Sequence, residues 1–178
     1  ISIFPGSRLS ELKSHVPILI EFINKMSETK KKYNYIFHAT ESSKVYLSQI
    51  IKKNKFKNVD IISNEKIKTA IIKKSTFAIV KSGTVSLEVC KYGIPSIIIY
   101  KMSFMNFIIA KLFLKIKFAN MINIINNKEI IPELLQKECN SDEIYNTVNY
   151  LLKKPELINE QLNQVNKTIK ELTSTTSS

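Results

Sequence analysis

The sequence predicts an α/β fold, a Rossmann-like doubly wound parallel sheet closed by carboxyl-terminal helices. Three observations predict it. Apolar runs of strand length alternate with longer runs of helical period through the first hundred residues. The strand-length runs are β-branched or aromatic and bounded by polar or turn residues, as suits parallel strands covered on both faces. Only three glycines occur in 178 residues, and two of them fall at or near strand-to-helix junctions.

Taken in order, Ile1–Phe4 reads as the first strand. Leu12, Val16, Leu19, Ile20, Ile23 and Met26 then recur at three- and four-residue steps, which is one apolar helix face, with Ser10 expected as its N-cap and Glu11 favourably placed in its first turn. Asn34–His38 is the second strand, and Val45, Leu47, Ile50 and Ile51 mark a second helix. Val59–Ile62 precedes a short third helix carrying Ile67, Ala70 and Ile71. Phe77–Val80 leads into a fourth helix from Val85 to Tyr92, and Ser96–Tyr100 completes a β-α-β-α-β-α-β-α-β order. Met102–Ala119 is largely apolar but cut by Lys111, Lys115 and Lys117, and too short between charges for the ~18 residues of a membrane span. It reads either as an interfacial helix, with Phe104, Phe107, Ile108, Leu112 and Phe113 below the lysines, or as a packed helix whose lysines snorkel. Pro132 to Leu172 reads as helices punctuated by Pro155, and Thr173–Ser178 as a polar tail that frays. The expectation is one domain over residues 1–172 and a tail over 173–178.

The charge balance is 27 Lys+Arg against 15 Asp+Glu, a formal +12. All but one of the basic residues are lysines spread along the chain, the exception being Arg8. Proteins that read bases or clamp phosphates bidentately favour arginine, so the excess reads as solvated lysine with some pull toward an anionic surface, and not as a nucleic-acid interface. Cys90 and Cys139 stand far apart without a metal-ligand spacing, which points to a reduced, cytoplasmic protein with no zinc site or disulfide framework. The chain opens Ile-Ser-Ile-Phe-Pro, inside a strand and without an initiator Met or signal peptide, as expected of part of a longer protein.

Doubly wound folds bind ligands outside the carboxyl ends of their strands. At the first junction, Gly6 permits a tight turn, Ser7 offers a hydroxyl, and Arg8 sits where the next helix aims its free N–H groups and positive dipole end. At the junction after the fourth strand, Ser82, Gly83 and Thr84 can form an amide nest for phosphate, and Glu88, about one helical turn onward, can accept hydrogen bonds from ribose hydroxyls. Each junction alone also reads as a plain βα turn with Arg8 or Glu88 in solvent. Neither is a Walker A loop or a GxGxxG. Together they describe a nucleoside diphosphate pocket. No metal or other cofactor is expected, since Asp and Glu do not cluster, and His15 and His38 read as structural or exposed.

Pro5-Gly6-Ser7-Arg8 with Glu11, Ser82-Gly83-Thr84 with Glu88, Tyr100-Lys101-Met102, Asn123 and Pro132-Glu133-Leu134-Leu135-Gln136 resemble, in order and spacing, the carboxyl-terminal half of the lipid-A-disaccharide synthase family, from Ile1 to about Tyr150. The resemblance implies one half of a GT-B glycosyltransferase, the half that binds the nucleotide-sugar donor. It implies an enzyme joining UDP-2,3-diacylglucosamine to 2,3-diacylglucosamine 1-phosphate, releasing UDP at the inner face of the bacterial cytoplasmic membrane, with an oligomer left open. It also implies that Arg8 contacts the pyrophosphate, Ser82 to Thr84 the phosphates and Glu88 the ribose, while Asn123 and Glu133 line the same cleft; Gly6 and Ser7 are expected beside Arg8 as substrate-binding residues of the first junction. The acceptor site and general base would belong to an amino-terminal domain not contained here, so no catalytic residue is assigned, and this chain alone is expected to be inactive. Two departures stand out: the family usually has Arg where this chain has Lys101, and Ser-Leu-Pro-Asn where it has Asn120-Met121-Ile122-Asn123, which removes a φ-fixing proline from the loop. The alternatives are a non-enzymatic UDP-binding fragment, another GT-B enzyme such as a nucleotide-sugar epimerase or a peptidoglycan glycosyltransferase, and a basic nucleic-acid or membrane-surface binder using the scattered lysines.

Overall fold

A computed structural model describes residues 1–101 and 117–176. Six strands, β1 (Ser2–Phe4), β2 (Tyr35–His38), β3 (Val59–Ile62), β4 (Ala78–Lys81), β5 (Ser96–Tyr100) and β6 (Glu133–Leu135), form one sheet in the order β3-β2-β1-β4-β5-β6. Every pairing is parallel. The helices are α1 (Leu9–Ser27), α2 (Glu41–Asn54), α3 (Glu65–Lys74), α4 (Thr84–Lys91), α5 (Met121–Asn126), α6 (Ser141–Leu152) and α7 (Pro155–Thr176). Winding reverses between β1 and β4, and the loops diverging there leave a crevice at the carboxyl ends of the strands.

The pleat sends alternate side chains of each strand to opposite faces, and both faces are apolar. Ile3, Phe37, Ile79, Ile97 and Ile99 meet Leu12, Val16, Leu19 and Ile23 of α1, with Leu47 of α2 and Ile144 and Val148 of α6. Phe4, Ala78, Val80 and Ile98 meet Ile72 of α3, Val89 and Cys90 of α4, Ile122 of α5 and Val165 of α7. Burial on two faces explains why the strands read as continuous apolar runs.

The carboxyl-terminal third differs from the expectation of helices alone. Glu133–Leu135 forms β6, with Ile98 opposite Glu133 and Tyr100 opposite Leu135. Three residues, one of them a glutamate and the first preceded by proline, carry no strand periodicity; the open edge of β5 makes them a strand. The loop around Ile122 is likewise a short helix, α5, capped by Asn120, whose Oδ1 accepts from Ile122 N at 2.9 Å. The proline lost there is thus replaced by a residue with a helical N–H that the cap uses. α7 runs on through Thr176, into the segment expected to fray. In α2 and α3 the core departs from the apolar positions the periodicity predicts: Val45 and Ile67 are 65% and 45% exposed, Ala70 is exposed as well, and the residue of α3 that enters the core is Ile72. The apolar segment expected as an interfacial or packed helix lies mostly at 102–116, outside the described residues, and so does Met102 of the Tyr100-Lys101-Met102 motif. Residues 117–119 are not helical. Among the described residues no helix is long and apolar enough to cross a membrane.

α1 starts two residues earlier than its expected cap would allow. Arg8, not Ser10, occupies the N-cap position with φ −86° and ψ 143°. The cause is Glu11, whose Oε2 accepts from Ser7 N at 3.0 Å and from Arg8 N at 3.3 Å, closing the first turn ahead of Ser10. Gly6 has φ +110°, and a Cβ there would overlap Glu11 Oε2 and lie 2.8 Å from Glu11 Cβ. Gly6→Ala should therefore lower stability by about 1–3 kcal/mol through backbone strain and displacement of Glu11. Urea denaturation measures this, and an unshifted midpoint would show that the loop does not depend on Gly6.

A candidate nucleoside diphosphate pocket

A cavity of about 230 Å³ opens at the switch point. Its wall combines Gly6, Ser7 and Glu11 after β1, His38 to Thr40 after β2, Ile62 to Glu65 and Lys68 after β3, and Lys81 to Val85 after β4. The structure therefore brings the two glycine junctions together on one cavity, along with residues from β2, β3 and α3 that sequence spacing did not connect.

The two junctions are not equivalent. At the first, the amides of Ser7 and Arg8 are already committed to the Glu11 carboxylate. Its other oxygen, Oε1, pairs with Lys81 Nζ from the end of β4 at 3.0 Å. Burial alone would raise the Glu11 pKa, but the bond to Lys81 and the Arg8 and Ser7 amides hold the carboxyl below its usual range. Arg8 points its backbone into this turn while its side chain is exposed and, among the described residues, without an ion-pair partner, outside the cavity wall.

At the second junction the amides are free. α2, α3, α5 and α6 are capped by side chains of Thr40, Asn64, Asn120 and Asn140, and α1 by Glu11. α4 begins at Gly83 with φ 156°, has no capping side chain and no acidic residue in its first turn. Among the described residues the N–H groups of Gly83, Thr84 and Val85 meet no acceptor, and Gly83 and Thr84 are exposed to the cavity. Three unsatisfied amides at a positive helix end form a seat for an anion. The Ser82 hydroxyl is occupied elsewhere, donating to Ala119 O at 2.8 Å. Glu88 is one turn into α4 and only partly exposed, with Oε2 held 2.9 Å from Lys68 Nζ. Lys68 itself lines the cavity, so this carboxylate stands beside it in a defined orientation.

Asn123 and Glu133 do not reach this cavity wall. Asn123 is wholly buried: its Nδ2 donates to Ile131 O and Glu133 Oε1, both at 2.7 Å, and its Oδ1 accepts from Ile130 N and Ile131 N. Glu133 accepts from Ala119 N at 2.6 Å and Asn120 N at 2.9 Å. These two residues tie α5 and the 119–120 turn to β6, and the same turn supplies the carbonyl that Ser82 grips. Their influence on the cavity runs through Ser82.

The histidines are buried and fully placed. His15 accepts from Lys101 N through Nε2 at 3.0 Å, so its proton lies on Nδ1, which donates to Pro5 O at 2.8 Å. It thereby joins the turn after β1 to the end of β5. His38 stacks on Phe4 with centroids 4.0 Å apart. Ser75 Oγ donates to Ile71 O, so it must accept from Ser2 Oγ, and Ser2 in turn accepts from His38 Nε2–H at 2.9 Å. That leaves His38 Nδ1 as a lone-pair acceptor, the one buried side-chain polar atom without a partner among the described residues.

The comparisons agree with this architecture. The family model described as lipid-A-disaccharide synthetase matches residues 1–178. The lipid-A-disaccharide synthase of Rickettsia bellii (strain OSU 85-389) is 37% identical over 169 residues, which is 94% of this chain and 43% of that protein. Lipid-A-disaccharide synthase 1 of Legionella pneumophila (strain Philadelphia 1) is 31% identical over 179 residues, covering 98% and 45%. The chain thus spans less than half the length of the curated relatives it matches. Among solved structures, the C-terminal domain of a glycosyl transferase group 1 family protein from Francisella tularensis superposes with a TM-score of 0.62 at 14% identity, covering 96% of this chain and 84% of that one. A UDP-GlcNAc 2-epimerase from Neisseria meningitidis bound to UDP-GlcNAc gives 0.58 at 12% identity, covering 99% and 44%. These likenesses show the fold, that of one half of a GT-B protein.

Protonation of the cavity wall sets a pH dependence. Burial, followed by the charge of Lys68, pushes the His38 pKa down to about 3 from an ordinary 6.5. The native state keeps His38 neutral while the unfolded chain takes up a proton, so this stability is intact above pH 6.5 and is lost as the pH falls toward 3. His15, lowered by burial, acts in the same direction. In the middle of that window His38→Asn should reduce the proton uptake on unfolding by about one, read as a shallower pH dependence of denaturation free energy. An unaltered slope would place the titration elsewhere.

Proposed function

This chain belongs to the lipid-A-disaccharide synthetase family, and on that premise we propose that it is the donor-binding half of a glycosyltransferase of lipid A biosynthesis. The reaction proposed joins UDP-2,3-diacylglucosamine to 2,3-diacylglucosamine 1-phosphate, releasing UDP. The observation that carries the reading is the cavity at the β1/β4 switch point, walled by both glycine junctions and ending on the unoccupied amides of α4.

The chemistry assigns a task to each group. Displacement at the anomeric carbon breaks the bond to the β-phosphate, whose oxygens gain negative charge as UDP leaves. The amides of Gly83, Thr84 and Val85 are preorganised donors for that charge and need no rearrangement when it appears. Arg8, exposed at the edge and unpaired among the described residues, is free to swing its planar fork onto the same diphosphate. Glu88, oriented by Lys68, accepts from the ribose hydroxyls. Gly6 and Ser7 keep the first turn low enough for the ligand to approach. Asn123 and Glu133 act at one remove, by fixing the turn that Ser82 holds. The acceptor and the general base belong, in this reading, to another half of the enzyme, so that this chain alone turns over nothing. Both substrates carry acyl chains, which favours work at the inner face of the cytoplasmic membrane, and a net charge of +12 suits an anionic surface.

Calorimetric titration with UDP tests the assignment. The unaltered chain should bind UDP, and Arg8→Ala should weaken binding about tenfold by removing a charge-assisted contact. Failure of the unaltered chain to bind UDP would sink the donor-half reading, and equal binding by Arg8→Ala would remove Arg8 from it.

A further inference from the structure

Lys81 occupies a position that helix electrostatics disfavours. It is the last residue of β4, and its Nζ lies 3.9 Å from where a Cβ on Gly83 would stand, directly over the start of α4. A helix N-terminus carries about half a positive charge, so a cation there is repelled and an acid preferred. α1, α2, α3, α6 and α7 follow that preference with Glu11, Glu41, Glu65, Asp142 and Glu143, and Glu156 in their first turns. α4, like the short α5, has no acid in its first turn, and a lysine ammonium lies over its start instead.

The arrangement is held, not incidental. The Lys81 side chain is only 22% exposed, fixed by Glu11 Oε1 at 3.0 Å and lying 5.2 Å from the Tyr100 ring centroid. An ammonium has three donors, and among the described residues Glu11 is its one hydrogen-bonding partner. One carboxylate faces one ammonium and the N-termini of both α1 and α4, so the balance at this corner of the cavity stays positive. His38, more than nine-tenths buried, lines the same wall, its Nδ1 without a partner among the described residues. Spare positive charge on the cavity wall is what a bound anion would meet.

We infer that Lys81 is a diphosphate-contacting residue of this pocket, and that Glu11 is the positioning residue that holds its ammonium over the α4 amides. The inference rests on the donor-pocket reading and adds a cation to it from the β4 side. Sequence composition hides this residue, because it is one of 26 lysines that otherwise read as solvated surface.

Calorimetry on the full chain with UDP, inorganic pyrophosphate and uridine provides the test. Lys81→Met should weaken UDP and pyrophosphate about tenfold or more while leaving uridine binding unchanged, because only the anionic ligands lose a charge-assisted bond. Lys81→Arg should recover most of the loss. Glu11→Gln, which keeps the amide cap but frees the ammonium, should reduce the preference for UDP over uridine and make UDP binding more salt-dependent. Thermal melting establishes that each variant is folded, and Lys81→Gln replaces Lys81→Met if the latter is not. Unchanged UDP affinity, or equal loss of UDP and uridine, overturns the inference while the donor reading stands. Pyrophosphate bound through Lys81, with UDP no tighter, overturns the donor reading and leaves the inference. If the unaltered chain binds neither anion, both fall.

Discussion

The carboxylate of Glu11 is the interaction on which the site's geometry depends. One oxygen closes the first turn of α1 by taking the Ser7 and Arg8 amides, and the other reaches across the switch point to Lys81 at the end of β4. Two loops that the sheet topology would let diverge are joined by one side chain. The same carboxylate dictates Gly6, since no Cβ fits between it and the turn. A single acid thereby sets where α1 begins, how closely the chain can approach a ligand, and where one cation lies. Its depressed pKa follows from these partners, because each bond favours the charged form against the burial that opposes it.

A second polar network does comparable work beneath the surface. Asn123 uses both donor and acceptor groups of its amide on β6, its preceding residues and Glu133, while Glu133 collects the amides of the 119–120 turn. A buried carboxylate and amide are costly unless every bond is made, and here the described partners meet them. The consequence reaches the cavity through Ala119 O and Ser82. His15 does the same between the β1 turn and Lys101. Rigid loops at the ends of β1, β4 and β5 are therefore a product of buried polar bonds more than of loop composition.

The contrast between α1 and α4 divides the labour between the junctions. α1 commits the Ser7 and Arg8 amides to Glu11, whereas α4 starts at Gly83 with no capping side chain. A leaving diphosphate needs donors already in place as its charge grows, and an uncapped helix supplies them without reorganisation. Glu88, held by Lys68, stands one turn further along the same helix. The resemblance implies phosphate contacts at both glycine turns; in three dimensions the second carries amides without a capping side chain, and the first commits two of its amides to Glu11.

The sequence by itself determined the alternation of five strands with four helices, the doubly wound class and the two glycine junctions, because burial on both faces and helical periodicity are local patterns that adjacent residues must carry. Val59–Ile62 and Ser96–Tyr100 stand where their apolar runs placed them. Tertiary structure alone decided that Glu133–Leu135 is a strand, since three residues become one by pairing with β5 and not by any periodicity. It also decided that Ile72, and not Ile67, enters the core, because a short helix has too few turns to define its inner face. Most of all, it decided which polar residues build the cavity. Lys81, Lys68 and His38 are ordinary in sequence, one in each of three segments, and meet Glu11 on one cavity wall only where parallel strands end side by side.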